Sequence, residues 1–311
     1  MKQAQRGVIL ISALILVALA AIVATSLFFD TALAARRAAA SFSMEQAVQL
    51  GAGGEALAAY ALSEDKNSDD TDKDPWAQHY GPVEVEAGVS LEAQILDEQG
   101  KFNLNTLLRK DGKPDPDAMK VLRRLLELSG VDAKWASLAV DWMDPDGQPE
   151  TDGGEDSLYL SQTPPHRTGN LLLTSVSELQ QLPGFTREMY LKVLPHVTAL
   201  PPDVQKINVC TADGVVLDAL FALSTTSANN VQYSRLTPED LQRSRQNGCF
   251  PRKTVIGANE PLIAGHIDER SSYFRLHTWL SIGTAQFALY SLMYRDGAGK
   301  VRPILRTMGT D

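Results

Sequence analysis

The longest apolar stretch of the chain lies near its start. From Val8 to Phe29 no residue carries a charge, and the 22 positions hold 14 strongly apolar side chains, five alanines, Ser12, Thr25 and Ser26. At about 1.5 Å per residue such a run makes a helix roughly 33 Å long, close to the hydrocarbon thickness of a bilayer. The pattern therefore predicts a transmembrane helix over 8–29. A cleavable secretory signal has an apolar region of only about 7–15 residues. Ala32-Leu33-Ala34 does carry the small residues of such a cleavage site, but Asp30 and the overlong run argue for a retained anchor. Lys2 and Arg6 precede the run and favour a cytoplasmic N-terminus, an asymmetry that Arg36 and Arg37 weaken. The bulk of the chain is then expected on the far side of the membrane.

From Thr31 to Leu62 the sequence stays rich in Ala, Leu, Met, Glu and Gln, all good helix formers. It predicts that the same helix continues to about Leu62, weakened at Gly51, Gly53 and Gly54. Ser63 to Pro75 reads as a solvated acidic loop. Beyond it the period changes to two. Val83-Glu84-Val85-Glu86 and Leu91-Glu92-Ala93-Gln94-Ile95 alternate around Ala87-Gly88, a hairpin pattern. Alternation returns only late, at Phe274, Leu276, Thr278, Leu280 and Ile282, then at Ala285, Phe287 and Leu289, with a last short strand over Val301 to Arg306. Between these β regions the pattern is helical: Pro116 to Ser129, Ala133 to Trp142, Val176 to Leu182, Thr186 to Leu194, Gly214 to Ser224 and Pro238 to Gln246. Asp132, Ser175 with Glu178, and Thr237-Pro238 supply start signals. The expected class is α+β. A long N-terminal helix (8–62) packs on an antiparallel sheet made from 63–100 and 256–311, and an α-helical domain (101–255) is inserted between the strands.

Composition narrows function. With 29 basic and 38 acidic residues the net charge is −9 over 311 residues, a poor match for a phosphate backbone. No Gly-x-Ser-x-Gly elbow, phosphate loop or His-Glu-x-x-His occurs, and the five histidines have no ligand spacing, so an enzyme is not expected. A membrane-anchored periplasmic enzyme stays as an alternative. So does a DNA-uptake module, because Ser175 to Val197 reads as a helix-hairpin-helix around Leu182-Pro183-Gly184-Phe185; Glu178 and Glu188 leave that hairpin little positive charge. The two cysteines, Cys210 and Cys249, are enough for one bridge.

The densest polar feature is Asp141 to Asp156, with seven acidic residues in sixteen, three glycines and two prolines. Calcium takes about six to eight oxygen ligands from carboxylates, amides, carbonyls and water. Asp144, Asp146 and Gln148 are spaced two apart as in many calcium loops, and Glu155 and Asp156 are placed to close a shell, with Asp141 as a further candidate. It is not an EF-hand, since the Gly and the final Glu are misplaced. On the residues alone, a calcium site and a solvated acidic loop both stand.

A short basic leader ending in Gly7, followed at once by an uncharged helix from Val8, resembles a type IV prepilin or type II secretion pseudopilin. The resemblance implies a leader over 1–7, cut by prepilin peptidase after Gly7, and a methylated Val8 as the mature terminus. Most pilins carry Glu at the fifth mature position; here it is Ser12. A carboxylate in lipid needs a partner, so its lack suits a subunit with none above it, as in the K-type minor pseudopilin of the secretion family. Lys101-Phe102-Asn103-Leu104-Asn105, Asp141-Trp142-Met143-Asp144 with Gly154-Glu155-Asp156, Ser175-Val176-Ser177-Glu178-Leu179, and Lys206-Ile207-Asn208-Val209 with Thr211-Ala212 match landmarks of that family in order. The resemblance implies a pilin-like fold, an inner-membrane protein with its bulk in the periplasm, I- and J-type minor pseudopilins as partners, and no nucleic acid. It also implies structural Ca²⁺ in the acidic loop and, in an oxidising compartment, a Cys210–Cys249 bridge in place of two buried thiols.

Overall fold

The computed structural model describes residues 4–224 and 232–309; residues 1–3 of the expected leader lie outside them. Helix α1 spans Ala4–Glu64, 61 residues without a break. Over Ile9 to Phe29 its side chains are exposed, the surface a membrane-spanning segment would present to lipid. Further along, Ala47, Glu55, Ala58 and Leu62 are buried and face the sheet. The glycines do not weaken the helix there. At Gly51 the helix lies close against the strands, where a Cβ would stand 2.4 Å from Leu289 Cδ2; one on Gly54 would make an ordinary contact at 3.5 Å from Thr278 Oγ1, and Gly53 faces open space. At Gly51 close packing outweighs the roughly 1 kcal/mol propensity penalty of a glycine.

The loop after α1 also departs from expectation. Its charges predict a solvated segment, yet Asp70 and Asp74 are buried and Trp76 enters the core. Strands β1 (Tyr80–Glu86) and β2 (Val89–Asp97) form the predicted hairpin about Ala87-Gly88, with Gly88 at φ 75°. The chain then leaves the sheet. The short β3 (Phe102–Asn103) leads to α2 (Pro116–Leu128), capped by Asp115, and to α3 (Trp135–Met143). After the acidic loop come α4 (Asp156–Leu160), a 3-10 turn over Val176–Gln181 rather than an α-helix, and α5 (Arg187–Val193). β4 (Val197–Thr198) pairs parallel with β3. β5 (Ile207–Asn208), α6 (Gly214–Leu220) and α7 (Pro238–Ser244) follow, the last with a capping box between Thr237 and Asp240.

Two helices that the sequence pattern did not reveal, α8 (Lys253–Asn259) and α9 (Pro261–Ala264), precede β6 (Ile267–Asp268), which pairs parallel with β5. Ile256, Ile263 and Ile267 belong to the core of the inserted unit. The second sheet segment therefore begins at Tyr273, not at 256. There β7 (Tyr273–Ile282), β8 (Ala285–Arg295) and β9 (Val301–Met308) complete a five-stranded antiparallel sheet of order β1-β2-β7-β8-β9. Leu62, Trp76, Ile95, Phe274 and Met293 make the core between α1 and the sheet. The insertion departs at Asp97 and returns at Tyr273, near Leu62 at the end of α1 remote from the apolar run, so the inserted domain caps the end of the body away from that run.

Candidate functional site

The acidic loop is organised around Asp141, the seventh residue of α3 and fully buried. Its carboxylate accepts hydrogen bonds from the backbone N–H of Glu150 (3.1 Å) and Gly154 (2.6 Å). The chain is thereby pulled back over the end of α3. Gly153 has no room for a side chain, since a Cβ would fall 1.9 Å from Asp141 Oδ2.

This fold-back brings Asp144, at the C-terminal end of α3, together with Asp146 and Glu155: one carboxylate oxygen of each lies within 4.8 Å of the others. Asp144 and Glu155 are buried, Asp146 is exposed, and Asp144 Oδ1 and Glu155 Oε1 have no hydrogen-bond partner. Burial, then the repulsion of neighbouring carboxylates, pushes Asp144 up to about 7 and Glu155 up to about 7. Burial and the nearby Asp141 and Glu155 also raise Tyr159, whose buried hydroxyl has no partner. Orphaned buried oxygens, an all-carboxylate donor set and uncompensated negative charge fit a hard divalent cation. Two of the predicted ligands are not in that group. Asp156 Oδ1 accepts from Thr168 N (3.1 Å) and Thr168 Oγ1 (3.0 Å). Gln148 contributes its backbone N–H to Asp146 Oδ1 at 2.8 Å, within an exposed stretch. Asp141 shapes the loop.

Cys210 and Cys249 are joined in a disulfide with Cα atoms 4.4 Å apart. Gly7, Val8 and Ser12 all lie in the first turns of α1. The hairpin at 182–185 is used for packing: Leu182 and Phe185 are buried and the Phe185 ring meets Trp135 edge-on at 5.3 Å. Two features escaped the sequence reading. One is the group Asp65, Asp70 and Asp74, whose burial depends on Arg295, distant in sequence. The other is the outer face of α1 beyond the apolar run, where Phe42, Leu57 and Tyr60 are exposed.

A long N-terminal helix apolar enough to cross a membrane, packed on a small antiparallel sheet with a helical domain inserted at the far end, defines a pilin-type subunit with an enlarged head. Comparison with known proteins agrees. Residues 100–202 match the family described as type II secretion system (T2SS), protein K. The type II secretion system protein K of Pseudomonas aeruginosa is 33% identical, with 99% of this chain and 94% of the relative covered. That of Klebsiella pneumoniae is 29% identical over 96% of this chain and 94% of its own length. Among solved structures, the GspK-GspI-GspJ complex of enterotoxigenic Escherichia coli contains a chain similar with a TM-score of 0.73 and 25% identity, covering 88% of this chain and all of that one. The chain belongs to the type II secretion system protein K family.

Proposed function

We propose that this chain is a minor pseudopilin that sits at the tip of the periplasmic pseudopilus, joins I- and J-type partners, and initiates or caps the fibre that drives folded proteins across the outer membrane. The observation that carries this reading is the position of the inserted domain. Subunits of a helical fibre stack closely along its axis, and a domain mounted beyond the outer end of the sheet occupies the space a subunit above would need. The GspK-GspI-GspJ complex to which the chain is similar supports the choice of partners. The exposed Phe42, Leu57 and Tyr60 on α1 offer them an apolar helix face. Ser12 fits a top subunit, which has no neighbour whose amine a buried acid would meet.

Two further elements belong to the same reading. The precursor is cut after Gly7 in the inner membrane and the mature chain starts at a methylated Val8, with the bulk in the periplasm. Calcium held by Asp144, Asp146 and Glu155 orders a loop that has no apolar core of its own. Copurification of the three minor pseudopilins from detergent extracts tests the assembly. Leu57→Arg with Tyr60→Glu is expected to abolish copurification while leaving the melting temperature unchanged; full retention of the complex overturns the docking face. Mass spectrometry of the mature chain tests processing. A terminus at Ala35, or an uncut precursor in a secreting strain, refutes it.

A further inference from the structure

The loop that follows α1 gathers a second set of carboxylates, at the junction of all three parts of the molecule. One carboxylate oxygen from each of Asp65, Asp70 and Asp74 lies within 4.8 Å of the others. Asp70 is fully buried, the Asp65 side chain is 5% exposed, and Asp74 is buried. A single cation faces them: the buried guanidinium of Arg295, on β8, meets Asp65 Oδ2 at 3.4 Å and pairs with Asp70 Oδ2. Three carboxylates against one guanidinium leave two negative charges in the interior. Among the described residues none of the other cations forms an ion pair with these three acids.

The hydrogen bonds show which oxygens remain. Asp70 Oδ2 also accepts from Ser271 N at 2.6 Å, whereas Asp70 Oδ1 has no partner despite having no exposed surface. Asp74 accepts from Thr71 N at 2.7 Å and Asn67 Nδ2 at 2.9 Å, and each of those oxygens keeps a second lone pair. Asp65 Oδ1 accepts only from Asn67 N, at 3.1 Å. An unsatisfied carboxylate oxygen in the interior destabilises the fold unless something takes it up. The donors are all hard oxygens, the ligand type that Ca²⁺ takes.

We propose that Asp65, Asp70 and Asp74 form a second calcium site, in which the ion takes the Oδ1 side of Asp65 and Asp70 while Arg295 holds their Oδ2 side. Its place in the fold gives it a purpose. Asp65 directly follows α1, Arg295 ends β8, and the backbone carbonyl of Asp70 accepts from Asn208 Nδ2 of the inserted domain at 3.0 Å. Asn208 Nδ2 also donates to Asp97 Oδ2 (2.8 Å), where the insertion leaves the sheet. An ion here locks stem, sheet and inserted domain to one another, whereas the acidic loop at 141–156 orders only itself.

Calcium titration with native mass spectrometry of the full chain in micelles, after chelator treatment, tests this. The wild type is expected to bind one ion at each cluster. Asp144→Asn with Glu155→Gln removes the loop ion and leaves one; adding Asp74→Asn removes that one too. If the double variant, with a wild-type circular dichroism spectrum, binds none, the proposal is overturned. Should the acidic loop itself bind nothing, the wild type still binds one ion and Asp74→Asn alone abolishes it, so the two sites fail separately. Where a variant does not fold, anomalous diffraction from unmutated crystals grown with Tb³⁺ decides: a peak among Asp65, Asp70 and Asp74 supports the site, and a peak at Asp144 and Glu155 without one here overturns it.

Discussion

Replacing Asp144 by Asn is expected to act in opposite directions with and without calcium. Without the ion, the folded chain holds the Asp144 carboxyl at about 7 against an ordinary 3.8. A folded value above the unfolded one means that the fold binds the proton more tightly. The stability this contributes is full below about pH 4 and is lost as the pH rises through 7. At about 1.36 kcal/mol per pH unit the displacement corresponds to roughly 4 kcal/mol. Water reaches the cluster through the exposed Asp146, and Glu155 feels the same repulsion, so the separate effects do not add; about 2 kcal/mol is a reasonable size for Asp144 alone. In EDTA at pH 8, Asp144→Asn removes this burden, and the variant is expected to melt about 4–8 °C above the wild type. At pH 5 the gap narrows, because the folded wild-type carboxyl keeps its proton and only the unfolded chain has lost its own. In calcium at about 100 times the dissociation constant, the wild type gains about 2.7 kcal/mol per site. The variant keeps only the contribution of the Asp65–Asp70–Asp74 cluster, so the order of melting temperatures reverses. Scanning calorimetry of both proteins in EDTA and in calcium, at pH 5 and pH 8, measures all of this. A variant that melts below the wild type under every condition refutes the reasoning, since the repulsion would then not exist.

Three other outcomes follow from the packing. Replacing Cys210 and Cys249 by Ser removes a link of sequence separation 39 and is expected to lower stability by about 4 kcal/mol in the loop-entropy picture, read from urea denaturation. Glu55→Ala deletes the acceptor of Ser291 Oγ (2.5 Å) and of Arg306 (2.6 Å). The Arg306 side chain is 57% exposed and can return to water, so the loss is expected near 1.5–3 kcal/mol and not the 3–5 typical of a stranded buried charge; chemical denaturation distinguishes the two. Gly153→Ala puts a methyl onto Asp141 and unseats the fold-back, so the calcium-induced rise in melting temperature attributable to the loop should vanish while the far-UV spectrum stays native.

Much of this fold is legible in the sequence because its signals are local. An uncharged run of bilayer length, alternation on either side of Ala87-Gly88 and of Gly283-Thr284, and helix starts at Ser175 and Thr237 depend on neighbours only a few residues away. The glycines of α1 misled for the converse reason. Their meaning lies in Leu289 and Thr278, more than 200 positions downstream, and in isolation a glycine reads as a loss of helix propensity. The loop at 63–75 reads as solvated because its charges have no visible partner until Arg295 is brought to it. In the acidic loop, density of charge located the region, but not which oxygens converge. Asp156 looks like a ligand by spacing, yet α4 begins there and Thr168 claims its carboxylate. The helices at 253–264 are short, and their apolar residues, Ile256 and Ile263, show no full period.

The unbroken course of α1 has a mechanical consequence. At about 1.5 Å per residue its 61 residues form a rod roughly 90 Å long, and the close contact at Gly51 holds its outer part against the body. An axial step imposed on the oily end would pass along this continuous rod to the head, as along a piston rod, with no break in the helix at which to fold.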